Sequence, residues 1–271
     1  MSGQRAVHAS NDKLGKETHF DWTKTIASFD DVCSKVAERY DLYYSSKQPR
    51  KATIIEVLSR KTCISCIDRD LRANNTDRVD NLYKELHQLA CSLLVEELYC
   101  QLIKNGYTVL IVNEKSTKYG KVDVLIIPCN NGLSLYSSQI EIAVEVKTGF
   151  SLSLPQLFRY MIDDNHRSLV LWRIRNEQVL VFEGTKLKPL LTQFMRMIIS
   201  RADRLLSSSE TSCEHSFELK NWTPSQQQLQ ETVSEFSKGV IETLPTIVKV
   251  VVAMLNGEQV NNVENKYKIG I

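Results

Sequence analysis

The sequence predicts a mixed α/β domain in which helices cover both faces of a central sheet. Between residues 107 and 182 it contains five short apolar runs of β type, separated by polar turns or a helical segment. Longer segments with apolar residues at helical spacing precede, interrupt and follow these runs. The order around the sheet is therefore helix, three strands, helix, two strands, helix.

The composition is that of a globular protein with nearly balanced charge. Its 271 residues suffice for one sizeable domain with additions or for two small domains. The net charge of +2 means that any basic surface for nucleic acid must be local. Seven cysteines, an odd number at irregular spacings, argue against a secreted disulfide scaffold. We find neither an apolar signal segment nor an apolar stretch that could span a bilayer, so we expect a cytoplasmic protein without membrane contact.

The N-terminal part of the chain is predicted to be helical after a short polar tail. Residues 1–20 form a disordered tail in this interpretation, and residues 21–76 form an N-terminal helical region. The apolar spacing predicts three helices before the sheet, over residues 22–44, 51–73 and 78–104. Gln48-Pro49 separates the first two helices, and Asn105-Gly106 ends the third.

Residues 77–206 are predicted to be the core of the protein, and residues 207–271 a C-terminal helical region. The five predicted strands are Tyr107–Asn113, Val122–Pro128, Ile140–Lys147, Ser168–Arg173 and Gln178–Phe182. Asn130-Asn131-Gly132 indicates a tight turn between the second strand and the third. The remaining helices are predicted over Pro155–Asp163 and over residues 187–206, 224–238 and 242–256.

Charged side chains lie within two of the most hydrophobic strands. Asp123 lies in the second strand, and Glu145 and Lys147 share one face of the third because strand side chains alternate. Such charges are costly there unless they pair or bind a ligand. Asp123, Glu145 and the carbonyl of Val146 offer the oxygen ligands that Mg²⁺ and Mn²⁺ prefer, and Lys147 could orient a water. A structural ion pair at a strand end is the alternative interpretation.

The pattern Asp123…Glu145-x-Lys147 resembles the PD-(D/E)xK nuclease superfamily, and a second motif narrows the resemblance. Gln156-Leu157-Phe158-Arg159-Tyr160 follows on a predicted helix and is similar to the Q-x-x-x-Y motif of the RecB-like branch, which includes the CRISPR-associated RecB-like exonucleases. His87 lies before the strands, where that branch carries a metal-binding histidine. The resemblance covers about residues 80–184.

The resemblance implies a restriction-endonuclease-like fold with helical additions at both ends, and a deoxyribonuclease that uses Mg²⁺ or Mn²⁺. The residues expected by this resemblance to hold the metal are His87, Asp123, Glu145 and, through its carbonyl, Val146. Lys147 would be catalytic, and Gln156 and Tyr160 would position the substrate or the lysine. Glu97 is the other residue of the same helix that could reach the metal. DNA is the expected partner, and the helical ends could form a homodimer or dock the chain in a nuclease complex.

Two other functions stay open at this point. The chain could be a catalytically weak subunit on a nuclease fold, acting in DNA binding or complex assembly. It could also be a structure-specific endonuclease that resolves DNA junctions. The Q-x-x-x-Y motif favours the RecB-like nuclease over the junction-resolving enzyme.

The sequence departs from the pattern of the superfamily at the residue before Asp123 and in its cysteines. Val122 stands before Asp123, where the superfamily usually has a proline. Many RecB-like exonucleases hold an iron–sulfur cluster with one cysteine before the histidine and three near the C-terminus. Here Cys63 and Cys66 precede the histidine and only Cys213 follows it, so no iron–sulfur cluster is expected. Those three cysteines with His215 would be acceptable zinc ligands instead.

Overall fold

The computed structural model describes residues 22–44, 47–73, 81–129, 141–149, 154–163, 168–208, 225–258 and 260. The helices in these ranges are α1 (Trp22–Arg39), α2 (Lys51–Arg60), α3 (Ile64–Arg72), α4 (Asn81–Lys104), α5 (Leu154–Asp163), α6 (Gly184–Ser207) and α7 (Gln226–Leu255). The strands are β1 (Val109–Ser116), β2 (Lys121–Pro128), β3 (Ile142–Lys147), β4 (Ser168–Arg173) and β5 (Gln178–Glu183). The predicted tail over residues 1–20 and the predicted turn Asn130-Asn131-Gly132 lie outside the described residues.

The strands form one mixed sheet in the order β1-β2-β3-β4-β5. β1, β2 and β3 are mutually antiparallel, and β5 is antiparallel to β4. β3 and β4 are parallel, because the chain crosses over between them through α5. The predicted succession of helix, three strands, helix, two strands and helix is confirmed.

Helices cover both faces of the sheet, as the sequence predicts. One face carries Leu125, Ala143 and Leu171 and packs in one apolar cluster with α1, α2, α3, α5 and α6. The opposite face carries Val144 and Trp172 and packs in a second cluster with α4 and α7. Both faces of β3 are therefore buried, which explains its nearly continuous apolar sequence. No helix in the described ranges is long and apolar enough to cross a membrane.

The first two predicted helices end earlier than the periodicity indicates. The helix predicted over 22–44 ends at Arg39, and Asp41 then takes a left-handed backbone conformation with φ of 52°. The helix predicted over 51–73 is two helices, because the backbone becomes extended at Lys61. Arg201 donates from Nη1 to the carbonyls of Leu58 and Ser59, at 2.5 and 2.9 Å, and so satisfies the end of α2. The hydrogen bonds at the end of α2 therefore come from a residue that is distant in sequence.

The two helices predicted over 224–238 and 242–256 are one continuous helix, α7. Pro245 lies inside it and removes one backbone donor, whose usual acceptor would be the carbonyl of Ile241. Ile241 is 73% exposed, so water can satisfy that carbonyl. Gly239 lets the helix approach the sheet closely, since an added Cβ would lie 2.1 Å from the Ile174 carbonyl oxygen.

Candidate active site

The site begins where β2 and β3 separate. Their pairing ends at Val124 and Val144, so Asp123 and Glu145, the next pair in register, lie beyond the last ladder position. The Val146 backbone N–H donates to Asp123 Oδ2 at 2.8 Å, so the carboxylate takes the place of a strand partner. The two carboxyl groups are therefore brought together at the point where the sheet opens.

Glu145 is a fully buried carboxyl group, with a side chain that is 0% exposed. Lys147 Nζ lies 2.8 Å from its Oε1, but neither Glu145 oxygen has an aligned hydrogen bond to a described residue. Burial raises the pKa of Glu145, and the Asp123 charge raises it further against the opposing effect of Lys147, to about 8. Glu145 is therefore mainly protonated at neutral pH in the metal-free protein.

Lys147 is held by a chain of polar contacts that reaches back to α5. Its ammonium donates to Gln156 Oε1, and Gln156 Nε2 donates to the Tyr160 hydroxyl at 3.1 Å. Gln156 and Tyr160 are four residues apart on α5 and share one face of it. Tyr160 is only 2% exposed, and its hydroxyl contributes to the site through its hydrogen bond with Gln156. Burial and the nearby carboxylates raise the pKa of Tyr160, which keeps its hydroxyl neutral.

His87 reaches the same place from α4, on the other side of the sheet. Its Nε2 lies 3.3 Å from Asp123 Oδ1 and 3.7 Å from Cys91 Sγ, one helical turn further along. Burial lowers the pKa of His87, but the hydrogen bonds to Asp123 and Cys91 and the Asp123 charge together raise it to about 10. The metal-free protein therefore carries an imidazolium beside Asp123. Cys91 follows His87 by four residues, and this helical spacing predicts that the two side chains are neighbours on α4.

Glu97, the alternative to His87, lies elsewhere on α4. Ten residues of helix separate the two, which is about 15 Å along the axis. Glu97 accepts from Gln101 Nε2 at 2.8 Å and lines a groove between α4 and α7. The geometry therefore favours His87 over Glu97 as the residue that α4 contributes to the site.

Several other polar residues singled out in the sequence lie away from the site or outside the described ranges. Arg159, inside the Q-x-x-x-Y motif, is buried and donates to the Ala52 carbonyl and to Glu56, each at 3.1 Å, so it joins α5 to α2. Cys213 and His215 lie outside the described residues, so the four-residue zinc set stays a prediction. The metal-binding role of the Val146 carbonyl also stays a prediction, since the observed contact of Val146 is made by its N–H.

Asp123, Glu145 and His87 are side chains of the types that bind a hard divalent cation, although they are not yet arranged as a metal-binding cluster. In the described part of the chain, no three His, Cys, Asp or Glu side chains already form a metal-binding cluster. The two Glu145 oxygens are buried without an aligned hydrogen bond, the Glu145 carboxyl interacts with Asp123, and Asp123 Oδ1 faces the His87 imidazole. The raised pKa values of Glu145 and His87 favour protonated forms that would have to lose a proton to bind a cation. Carboxylate oxygens and an imidazole are ligands that Mn²⁺ accepts, and the carboxylates also suit Mg²⁺.

Comparison of the chain with protein-family models, with curated proteins and with solved structures gave no match. The resemblance to the RecB-like nucleases therefore stays a prediction that rests on the residues described above.

Proposed function

We propose that this protein is a nuclease that hydrolyses DNA phosphodiester bonds with the help of Mg²⁺ or Mn²⁺, by chemistry similar to that of RecB-like enzymes. The observation that carries the proposal is the contact of five predicted residues at one point of the fold. Asp123 and Glu145 adjoin where two strands part, and the chain of contacts from Lys147 through Gln156 to Tyr160 begins at Glu145. If Glu145 and Lys147 formed only a structural ion pair, the further contacts from Lys147 to Gln156 and from Gln156 to Tyr160 would not be needed.

The metal would be held by Asp123 Oδ1, a Glu145 oxygen and, after it loses its proton, His87. When bound, Mg²⁺ or Mn²⁺ supplies Lewis-acid polarisation of the phosphate and lowers the pKa of a nearby water. Both Glu145 and His87 must release a proton to become ligands, so we expect metal affinity to increase with pH. Asp123 keeps its orientation throughout, because its Oδ2 is fixed by the Val146 N–H.

Lys147 is the residue that acts on the reacting groups. Its side chain is 17% exposed, and Glu145 and Gln156 hold its ammonium in place. From there it can orient the attacking water or stabilise the negative charge that develops on the phosphate oxygens. Gln156 and Tyr160 are positioning residues in this mechanism, since they fix the direction of the Lys147 side chain.

A catalytically weak subunit that binds DNA or assembles with other proteins is the second candidate. It is favoured by the lack of a preformed metal cluster among the described residues. It is also consistent with Asp123, whose two oxygens already have protein neighbours in Val146 and His87. The two candidates predict opposite outcomes in a cleavage assay with the metal supplied.

The test is a cleavage assay on end-labelled linear DNA and on circular DNA, with Mg²⁺, Mn²⁺ or EDTA. Wild type should cleave only with metal, and Asp123→Ala and Lys147→Ala should each lose roughly 10²-fold or more in rate. Lys35→Ala is the matched control, because Lys35 is an exposed lysine paired with Asp31 far from the site in sequence and contact. Circular dichroism and the thermal midpoint should show that all three variants remain folded.

The outcomes separate the candidates. Undiminished cleavage by both Asp123→Ala and Lys147→Ala would contradict the proposed site. DNA binding by wild type without metal-dependent cleavage of any substrate would favour the weak subunit. Cleavage confined to a branched substrate would favour the junction-resolving enzyme.

A further inference from the structure

A pair of cysteines lies at the start of α3, on the helical layer that covers the Ala143 face of the sheet. Cys63 is the N-cap residue of α3, with an extended backbone at φ of −77° and ψ of 124°. Cys66 follows three residues later in the first turn of the helix. The structure records both as thiols, with Cys63 exposed and Cys66 buried. The candidate active site uses neither residue.

The helix start places both cysteines in one turn and favours a thiolate on the exposed one. Cys63 makes no side-chain cap hydrogen bond, and Cys66 and Ser65 of the first turn are the groups that act on its thiol. The Cys66 backbone N–H, with the Ser65 hydroxyl, lowers the pKa of Cys63 to about 7. An exposed sulfur that is partly ionised at neutral pH, with a second thiol three residues further along the same helical turn, has the two parts needed for thiol–disulfide exchange.

We propose that Cys63 and Cys66 form a redox-active dithiol that exchanges with low-molecular-weight disulfides such as glutathione disulfide. The Cys63 thiolate attacks one sulfur of the external disulfide, so that a mixed disulfide forms at Cys63 and one external thiolate leaves and takes up a proton. The Cys66 thiol then loses its proton and its sulfur attacks Cys63, which releases the second external thiol. The protein dithiol is oxidised by two electrons, and the external disulfide is reduced to two thiols.

The other cysteines in the described part of the chain show why this pair is singled out. Cys33 is buried, and burial raises the pKa of its thiol to about 12, which makes it unreactive. Cys100 and Cys129 are exposed, but neither has a second cysteine three residues away in the sequence. They serve as internal controls for a merely accessible thiol.

The experiment uses the full chain in glutathione buffers of increasing oxidised-to-reduced ratio, followed by acid quenching, alkylation and tryptic mapping. Trypsin cleaves after Lys61 and after Arg69, so residues 62–69 form one peptide that contains both cysteines. In oxidising buffer this peptide should be two hydrogens lighter and carry no alkyl group, and a reductant should reverse the change. In reducing buffer at pH 7, Cys63 should be alkylated roughly three- to tenfold faster than an ordinary exposed thiol.

Two single variants separate exchange from simple oxidation. In Cys66→Ser the mixed disulfide at Cys63 cannot be resolved, so glutathione should accumulate on Cys63. In Cys63→Ser the peptide should remain a single alkylatable thiol in every buffer. Two alkylated cysteines in the wild-type peptide at every buffer ratio would overturn the proposal, as would equal glutathione adducts on Cys63 and Cys100 in Cys66→Ser.

Metal analysis of the purified chain completes the test, because a zinc site would protect the same thiols. About one zinc ion per chain, with both cysteines resistant to alkylation until the zinc is chelated, would overturn the redox assignment in favour of the metal. Less than stoichiometric zinc, with free alkylation in reducing buffer, supports the dithiol. None of these readouts depends on DNA cleavage, so this proposal and the nuclease proposal can fail separately.

Discussion

Two acidic groups lie near the turn of the β1–β2 hairpin, and their surroundings shift the pKa of Asp30 and that of Glu145 in opposite directions. Beside the turn, Asp30 of α1 pairs with Lys51 at 2.8 Å and with Lys118, and it accepts from the Tyr119 hydroxyl at 3.1 Å. We call this group the hairpin anchor. In the first part of β2, Asp123 adjoins Glu145 of β3, and Glu145 has one lysine neighbour and no aligned hydrogen bond among the described residues.

The contrast supports the proposal that Asp123 and Glu145 bind a cation, whereas Asp30 belongs to a structural ion pair. Burial would raise the pKa of Asp30, but the hydrogen bonds from Lys118 and Lys51 lower it below its usual value. The pKa of Glu145 shifts in the opposite direction, to about 8, because burial and Asp123 outweigh Lys147. The surroundings of Asp30 favour its charged form, whereas those of Glu145 favour its protonated form.

The largest expected difference between the two groups is their response to a divalent cation. Mn²⁺ at about a hundred times its dissociation constant should stabilise the folded protein by roughly 2.7 kcal/mol, because only the folded chain offers the site. Asp123→Asn and Glu145→Gln should abolish the associated increase in the thermal midpoint. Asp30→Asn is the matched control and should keep the increase, since Asp30 is already saturated by protein partners. An equal Mn²⁺ effect in all three variants would contradict the assignment of the site.

The residues of this site differ in how far the sequence alone predicts them. Strand alternation places Glu145 and Lys147 on one face, and helical spacing places Gln156 and Tyr160 on another, so both pairs follow from local periodicity. That Gln156 and Tyr160 lie near Glu145 and Lys147 is also predictable, because α5 follows β3 directly in the chain. The position at which the β2–β3 ladder ends is not predictable from local sequence, because Asp123 accepts there from the Val146 backbone N–H, twenty-three positions away.

Two of the wrong helix bounds depend on parts of the chain that are distant in sequence. Arg201 satisfies carbonyls at the end of α2, where the second predicted helix divides, and nothing in the sequence of α2 indicates that stop. The last two predicted helices are one helix, and packing of α7 on the sheet maintains it through Pro245. The local sequence pattern predicts which segments are helices or strands and which of their faces are buried. Contacts with distant residues determine where some of these elements end.

The next largest difference is in the pH dependence of the metal-free protein. Between pH 4.5 and about 8 the folded chain keeps a proton on Glu145 that the unfolded chain has released, so stability decreases as pH rises. His87 acts in the same direction between pH 6.5 and about 10, because its folded pKa is also raised. In EDTA, the free energy of unfolding from urea titrations should therefore decrease by about 4 kcal/mol between pH 6 and pH 8, with about half from each residue.

Glu145→Gln removes one of these two contributions and should give a flatter profile over the same range. The variant should also match or exceed the stability of wild type at pH 8 in EDTA, because the amide has no charge to bury. The opposite result, a wild-type profile that is level or rises with pH, would show that Glu145 is charged in the folded protein without a metal. Asp30 and Glu145 would then both be charged in the folded protein, and the contrast between the hairpin anchor and the candidate site would be lost.

The smallest expected effect is the loss of stability when the charge of the hairpin anchor is removed. A neighbouring exposed ion pair provides the control. Asp30→Asn should reduce the free energy of unfolding at pH 7 by about 1 kcal/mol, because Lys51 is only 12% exposed and loses its charge partner. Asp31→Asn is the matched control. Asp31 and Lys35 are each 58% exposed, so breaking their pair should leave no measurable change.

The pH dependence of Asp30→Asn separates a lost charge from a lost contact. Because the folded pKa of Asp30 is lowered, its contribution is present above its ordinary value of 3.8 and declines as pH falls through the folded pKa. The difference between wild type and Asp30→Asn should therefore shrink in acid, as followed by urea unfolding from pH 7 downward. A difference that stays constant would mean that Asp30 acts by packing against Tyr119 and the lysines. The contrast with Glu145 would then rest on burial alone, because a charged Asp30 would no longer be what anchors the hairpin.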